Sequence, residues 1–415
     1  MAGQYPAASE TFVWREVAAL RQRGLKVAAA ALRPASTPAE GAAPADLFVY
    51  GHSALSTLLA GVFELVAHPL ACLRTLGIAV KDALTPGESA SIRERGKWLG
   101  QAAFAIGLAG RLRRRGVRRL HCHFAHAPTT VGMYASAQLG VPFTFTGHAN
   151  DLFQRRSLLK RKLQRAAGVA CISAWHRGYY AGIEPSADAK CHVIRCGVDV
   201  PGERGAAAGQ WRTKHIVSVG RLVPKKGFDT LIRAFADLGG SGQPAWRLTL
   251  AGDGPQREEL ETLATELGCD RAICFAGRLS HDQVGQLLSE AALFVLPCRT
   301  DANGDRDGIP VVLMEAMAYG VPVVAGDLPA IRELVVDGHT GFLVDGSDAL
   351  QLADRLRQVV ATPEEASSVA AAGRQHVQAE FSTEANIDRL VAMWAEAEPV
   401  VGRHHDVPMP MAVQS

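Results

Sequence analysis

Short runs of β-branched and apolar residues alternate with helical stretches along this chain, and the whole series occurs twice. In the first half, residues 26–32, 47–50, 119–124, 142–146, 169–173 and 192–195 read as strands. Residues 215–219, 246–251, 273–275, 293–296, 321–325 and 342–344 form the second series. Alternation of this kind predicts an α/β protein whose parallel sheets are covered by helices on both faces. A chain of 415 residues is also too long for one ordinary core. Residues 202–210, rich in glycine and alanine, read as a linker between the two series. The predicted organisation is a domain over 1–200, a linker over 201–213, a domain over 214–384, a helix over 385–400 that packs back on the first domain, and a frayed tail over 401–415. Ligands bind such sheets outside the carboxyl ends of the strands, so a deep cleft between the domains is expected.

The segment from Asp307 to Ala318 puts two carboxylates, Asp307 and Glu315, across the start of an apolar helix. Pro310 suits the first helical turn, and Gly308 lets backbone approach a ligand. On that reading Glu315 lies about two turns in. Each carboxylate can accept hydrogen bonds from paired hydroxyls, as on a sugar or ribose. A second motif, Gly220-Arg221 to Lys226-Gly227, follows the strand at 215–219 and precedes a helix. Arg221 and Lys226 can reach one point from the two ends of the loop. Paired cations there would stabilise a diphosphate leaving group. An ordinary loop rich in Gly, Pro and Lys is the alternative. The turns at 251–255 and at Gly277-Arg278 could bring backbone to a nucleotide, or be plain strand-to-helix turns.

In the first half, His148 and Asp151 follow the strand at 142–146, where side chains face the expected cleft. A histidine satisfying a loop carbonyl is the alternative. His121, His123 and His126 form H-x-H-x-x-H, with 121 and 123 on one strand face. No carboxylate or cysteine in the sequence completes that set, so no metal is expected. Asp305-Arg306-Asp307 is a D-x-D without the single-domain context of metal-dependent sugar transferases. The segment from Asp301 fails as a calcium loop, because Arg306 stands where glycine is required and Val312 where glutamate is required.

The eight cysteines show no C-x-x-C spacing and read as buried thiols of a reducing cytoplasm. The start lacks the pattern of a signal peptide. The apolar stretch 54–73 is interrupted by Glu64 and His68, and 98–110 is too short to span a bilayer. Residues 1–200 carry 25 Lys and Arg against 12 Asp and Glu, a charge of +13, whereas the remainder carries 19 against 29, or −10. A basic half suits an anionic surface or substrate, or is simply a solvated face.

These motifs together resemble family 4 retaining glycosyltransferases, over nearly the whole chain to about residue 397. Tyr5 to Phe12, with Ser9, Glu10 and Thr11, resembles the family's acceptor-side loop. Phe145 to His148 resembles its cleft histidine segment. Gly220-Arg221 with Lys226-Gly227 resembles its diphosphate clamp, and Asp307 to Glu315 its paired-acid helix. The wording from Gly304 to Met317 is most like the branch that makes exopolysaccharides of the colanic acid type. The resemblance implies a GT-B fold, with two Rossmann-like domains facing a cleft: an acceptor-side domain first and a nucleotide-sugar domain second. It implies a nucleoside diphosphate sugar donor, in the first instance a UDP-sugar, and a glycan or lipid-linked acceptor. It places Glu315 on the ribose, and Asp307 with the amides of Gly308 and Ile309 on the transferred sugar. It places Arg221 and Lys226 on the diphosphate and His148 near the reacting carbon. Gly277, Arg278 and Pro310 fall on its donor side, and Asp151 on its acceptor side. No cofactor and no metal are implied, nor is nucleic acid a partner.

Two departures stand out. The family usually has glutamate where Asp307 stands. It also begins with an apolar strand, whereas only four residues precede Tyr5 here. Either that strand is missing, leaving the first sheet without a central member, or the start codon lies upstream. The family's habit of working at the cytoplasmic membrane face is matched by two basic clusters. One comprises Arg111, Arg113, Arg114, Arg115, Arg118 and Arg119, the other Arg155, Arg156, Lys160, Arg161, Lys162 and Arg165. An epimerase or hydrolase acting on the same donor, or a nucleotide-sugar-binding scaffold, are the alternative functions.

Overall fold

The computed structural model describes residues 1–7, 10–39, 41–85, 90–148, 157–202, 213–239 and 246–397. The predicted tail at 401–415 lies outside them, as do Arg155 and Arg156.

The first domain runs β1 (Ala2–Tyr5), α1 (Thr11–Gln22), β2 (Ala30–Pro34), β3 (Leu47–Phe48), α2 (Ala54–Ala67), α3 (Pro69–Leu84), α4 (Ile92–Arg113), β4 (Leu120–His123), α5 (Ala127–Leu139), β5 (Phe143–Gly147), α6 (Leu159–Arg165), β6 (Gly168–Cys171), α7 (Ala174–Ile183) and β7 (Cys191–Val193). Its strands pair in parallel as β1-β2-β3 and β4-β5-β6-β7. Met1 joins the two groups, its N–H donating to His121 O at 2.6 Å and its carbonyl accepting from His123 N at 2.8 Å. The central strand that the sequence left in doubt is therefore present. Ala2 and Tyr5 are buried, and β1 is in register with β2 from Ala2↔Ala31 to Tyr5↔Pro34.

The second domain runs β8 (His215–Val219), α8 (Phe228–Gly239), β9 (Arg247–Ala251), α9 (Arg257–Glu266), β10 (Ile273–Gly277), α10 (His281–Glu290), β11 (Leu293–Leu296), α11 (Val311–Ala318), β12 (Val323–Gly326), β13 (Phe342–Val344), α12 (Ala349–Ala361), α13 (Pro363–Glu380) and α14 (Thr383–Glu396). Its parallel sheet has the order β10-β9-β8-β11-β12-β13. In both domains the first strand thus lies beside the fourth, and the chain order reverses there. Each sheet has its switch point, and its natural ligand crevice, at that pair. Each domain has its own large apolar core. The central strands of the second sheet are uniformly buried, so they read as unbroken apolar runs in sequence.

The chain crosses between the domains on two strands of backbone that run together. Val198 N donates to Phe381 O and Thr383 N to Val198 O, both at 2.9 Å. A Cβ on Gly197 would stand 2.6 Å from Thr383 Cα, so only glycine lets the two crossings touch. Helix α14 then returns to the first domain. Ile387, Leu390 and Met393 pack with Leu20, Ala170 and Ile194, and Trp394 Nε1 donates to Thr144 Oγ1 at 3.1 Å.

Part of each basic cluster is spent on contacts inside the domain. Arg111 is turned onto Phe48 O and Thr57 Oγ1 at 2.6 and 2.9 Å, and Arg113 onto Glu64 at 3.1 Å. Arg165 holds Asp82 at 2.6 and 2.7 Å. Lys162 is fully buried, its Nζ donating to the carbonyls of Ala125, His126 and Ser157. Desolvated cations need such partners, so these side chains bind the domain together, leaving Arg114, Arg115, Arg118 and Lys160 exposed. All eight cysteines are free thiols, five of them buried.

Candidate functional site

The exits of β8, β9 and β10 stack backbone on backbone. Gly220 N donates to Ala251 O at 2.9 Å, and Gly252 N to Gly277 O at 2.7 Å. A Cβ on Gly252 would lie 1.9 Å from Gly220 O, so any side chain there would part the loops. After Gly220 the chain makes a short 3-10 turn at Pro224–Lys226 and leaves it through Gly227, whose φ is 68°. That turn folds onto the exit of β11 and delivers two lysines to the acidic loop before α11. Lys226 Nζ lies 2.9 Å from Asp307 Oδ2. Lys225 Nζ lies 3.6 Å from Asp307 Oδ1 and 3.0 Å from Asp305 Oδ2. The Cys298 thiol donates to Asp307 at 3.3 Å.

Burial alone would raise the Asp307 carboxyl, but Lys226 and Lys225 outweigh it and hold it below its ordinary value. Burial likewise works against the Lys226 ammonium, and Asp307 overcomes it. Arg221, by contrast, stands exposed on the same loop. Arg278 is also exposed and pairs with Asp253 at 3.3 Å, just past Gly277 with its φ of 68°.

Pro310 is the N-cap of α11 in extended conformation, not a residue of its first turn. The helix starts one residue later, which puts Glu315 little more than one turn in, about 6 Å along the axis from Val311. Asp307, Gly308 and Ile309 belong to the preceding loop. The two acids therefore sit on different elements, and their carboxylates serve different partners.

Glu315 is held from across the cleft. Arg15, buried in α1, places Nη1 and Nη2 each 3.1 Å from Glu315 Oε1. Its Nη2 also meets the His281 ring, and its Nε lies 3.6 Å from Asp199 Oδ2. A second bridge runs the other way. Glu333, after β12, accepts from Ala174 N at 2.8 Å and Trp175 N at 2.9 Å, at the amino end of α7. Arg195 joins Glu333 and Glu380 at 3.5 and 3.2 Å. Arg306 lies over the Trp175 ring at 5.1 Å. Sequence reasoning missed Arg15, Glu16, Arg195 and Glu333. Arg15-Glu16 did carry a signal: a charged pair interrupting the apolar run from Phe12 to Leu20.

A pocket opens on the first-domain side of this contact, lined by α1, the ends of β4 and β5, the crossover and α14. It does not reach Lys226 or Asp307; Arg15 is what connects the two regions. Glu10 is the N-cap of α1 and Thr11 its first residue. Ser9 and Asp151 fall outside the described residues. His148 lines the pocket with its ring 4.7 Å from Phe12 and 4.5 Å from Phe124. Burial, then the neighbouring His123, His176 and His126, push it well below its ordinary value, so it is a neutral ring at neutral pH.

The carboxylate that the sequence did not supply to the histidine pair arrives from α1. Glu16 Oε1 is 3.1 Å from His123 Nε2 and 3.9 Å from His121 Nε2. These side chains nevertheless make a poor ligand set. His121 spends both nitrogens on hydroxyls, those of Thr144 at 2.8 Å and Thr146 at 3.0 Å. His123 Nδ1 is buried with no acceptor, whereas a ligating histidine donates its second N–H. The cluster is a hydrogen-bond network.

Residues 9–200 match the family described as Glycosyltransferase Family 4, and residues 209–376 match Glycosyl transferases group 1. A GDP-mannose-dependent alpha-(1-6)-phosphatidylinositol monomannoside mannosyltransferase of Mycolicibacterium smegmatis is 38 % identical over 160 residues, 38 % of this chain and 42 % of that one. A putative colanic acid biosynthesis glycosyltransferase, WcaL of Salmonella typhimurium, is 38 % identical over 178 residues, 43 % of each chain. The chain spans about half the length of the curated relatives it matches, 42, 46 and 61 % for three of them. Among solved structures, Anabaena HepE in complex with UDP shares the fold with a TM-score of 0.60 at 18 % identity, over 70 % of this chain and 82 % of that one. A sucrose-phosphate synthase of Thermosynechococcus elongatus does so with a TM-score of 0.59 at 23 % identity, over 72 % and 78 %. Two parallel-sheet domains meeting at a cleft, the first matching Glycosyltransferase Family 4 and the second Glycosyl transferases group 1, place this chain among the glycosyltransferase families with the GT-B fold.

Proposed function

We propose that the protein moves a sugar from a nucleoside diphosphate sugar to a hydroxyl of a lipid-linked or growing glycan acceptor, with retention of configuration. The observation that carries this reading is the Lys226–Asp307 pair at the strand exits of the second domain, with Glu315 just over one turn into the helix that follows. Lysine and an exposed arginine on one glycine-bounded loop suit a diphosphate, and the two acids suit sugar and ribose hydroxyls. In the reaction the anomeric carbon's bond to the diphosphate breaks and a bond to the acceptor oxygen forms on the same face. The acceptor proton leaves with the diphosphate. Lys226 and Arg221 take up the charge that develops there, without a metal. Diphosphate binding draws Lys226 partly away from Asp307, which frees Asp307 for the transferred sugar beside the amides of Gly308 and Ile309. Glu315 holds the ribose, and the backbone around Gly277-Arg278 the base. His148 lines the acceptor pocket, and Glu10 and Thr11 open the helix α1 that forms one of its walls.

UDP-sugars are the first donors to test. GDP-sugars belong beside them, because the mycolicibacterial relative is named as GDP-mannose-dependent. An acceptor in cell-envelope or exopolysaccharide synthesis fits the names of the colanic acid and amylovoran biosynthesis relatives, and the basic first half of the chain suits meeting it at the cytoplasmic face of the membrane. The experiment is incubation of the protein with a panel of UDP- and GDP-sugars. Slow release of free sugar and nucleoside diphosphate from one donor, with the anomeric configuration kept, is the expected result. Conversion of the donor to its epimer, or binding without turnover, would overturn it.

A further inference from the structure

Helices α2 and α3 are built inside out. The buried side chains of α2 are Thr57, Ala60 and Glu64, and those of α3 include Thr75 and Asp82. The outward faces carry twelve large apolar residues that stay exposed, among them Leu55 at 68 %, Val66 at 79 %, Leu70 at 79 % and Leu84 at 71 %. A surface helix in water shows the opposite arrangement, with its apolar stripe turned to the core. Twelve large apolar side chains exposed on two consecutive helices are more than the scattered single residues usual on a soluble monomer.

The hairpin is not loosely attached. Glu64 accepts from Arg113 and from Gln138, both at 3.1 Å, and Thr75 donates to Gln138 at 3.0 Å. Asp82 accepts from Arg165 and from Tyr134. A Cβ on Gly107 of α4 would lie 1.9 Å from Thr57 O, so α2 touches α4 backbone to backbone. The inward polar groups are satisfied and the packing is close, which makes the outward apolar face a fixed feature of the domain.

We infer that α2 and α3 form a hairpin that inserts into one leaflet of an anionic bilayer. At 14 and 16 residues the helices are roughly 21 and 24 Å long, each too short for a hydrocarbon core of about 30 Å. They bend by 115° at His68, and among the described residues no single helix is long and apolar enough to cross a membrane. The geometry is that of a wedge lying in the interface. Charge selects the occupant. Both acids of the hairpin, Glu64 and Asp82, are buried and paired, whereas Arg74 and Lys81 are exposed. Exposed Arg114 lies over the Phe63 ring at 5.6 Å, a cation at the rim of the apolar face. An apolar face on two helices whose solvent-facing charges are both cations suits anionic headgroups. The same cations disfavour a second copy as occupant, since a twofold contact would bring like charges towards one another. This inference refines the membrane-face reading above, but it is tested without donor or acceptor.

The test is flotation of the full chain with phosphatidylcholine vesicles, with and without one quarter phosphatidylglycerol, at low salt and at 0.5 M NaCl. A Phe63→Trp variant with acyl-brominated lipid reports depth. Insertion predicts stronger binding to the anionic vesicles, binding that persists at high salt, and quenching of the new indole. The exposed triple Val62→Glu, Val66→Glu, Leu73→Glu should keep its circular dichroism spectrum and lose at least tenfold in vesicle affinity. Complete release by salt without quenching would reduce the contact to adsorption and overturn insertion. A dimer in light scattering that the triple variant dissociates, with no vesicle binding, would overturn it in favour of a second copy. Either failure leaves donor turnover, and so the transferase reading, untouched.

Discussion

At the scale of single residues the site rests on two acids held by cations. Lys226 and Asp307 are 13 and 17 % exposed and 2.9 Å apart. Removing one partner strands the other in a poorly solvated place. Asp307→Asn should therefore destabilise the protein by about 3 kcal/mol, read as a fall in the urea midpoint. An unchanged midpoint would mean that solvent already satisfies Lys226. Glu315 is the opposite case. Its partner Arg15 keeps Asp199 and His281 nearby when Glu315 is lost, so Glu315→Gln should cost little stability. Its effect should be on donor affinity, about tenfold weaker or about 1.4 kcal/mol, with binding and not the chemical step affected. Titration calorimetry against turnover separates the two. The motif acids and Lys226 were legible because each lies in a short stretch whose glycines and proline fix its own loop. Arg15 was not, because its partner Glu315 lies 300 residues away.

At the scale of elements, β8, β11 and β13 coincide with the runs read from sequence, since strands buried on both faces leave no polar alternation to misplace. Strand β1 escaped notice because Ala2-Gly3-Gln4-Tyr5 has no β-branched residue; what makes it a strand is its pairing to β2 and, through Met1, to β4. The inverted polarity of α2 and α3 was invisible too, because an apolar stripe in sequence does not say which way it faces. Buried histidines on β8 and α7 give an element-scale prediction. Burial lowers His215 to about 4 and His176 to about 3. Unfolded, both titrate near 6.5. Below that pH the unfolded chain takes up protons that the native state excludes, so stability falls from about pH 6.5 towards 4, by about 1.4 kcal/mol per pH unit for each ring. Urea midpoints at pH 7, 5.5 and 4.5 check the slope; a flat profile would contradict it.

At the scale of the whole molecule, two bridges of opposite sense close the cleft: Arg15 onto Glu315, and Glu333 onto the amino end of α7. Glu333→Ala removes a cap from two helix amides and weakens the closed form by about 1–2 kcal/mol. Small-angle scattering of the ligand-free protein should show a larger radius of gyration, and saturating donor should restore the compact form. The closing contacts also mean that donor must compete with Arg15 for Glu315, so the grip on the nucleotide sugar is what the rest depends on. Titration of UDP- and GDP-sugars into the protein and into its Arg221→Ala, Glu315→Ala double variant tests that grip most directly. The account predicts micromolar binding of one donor and a loss of at least about 2 kcal/mol in the folded double variant. Donor affinity unchanged in that variant would contradict it.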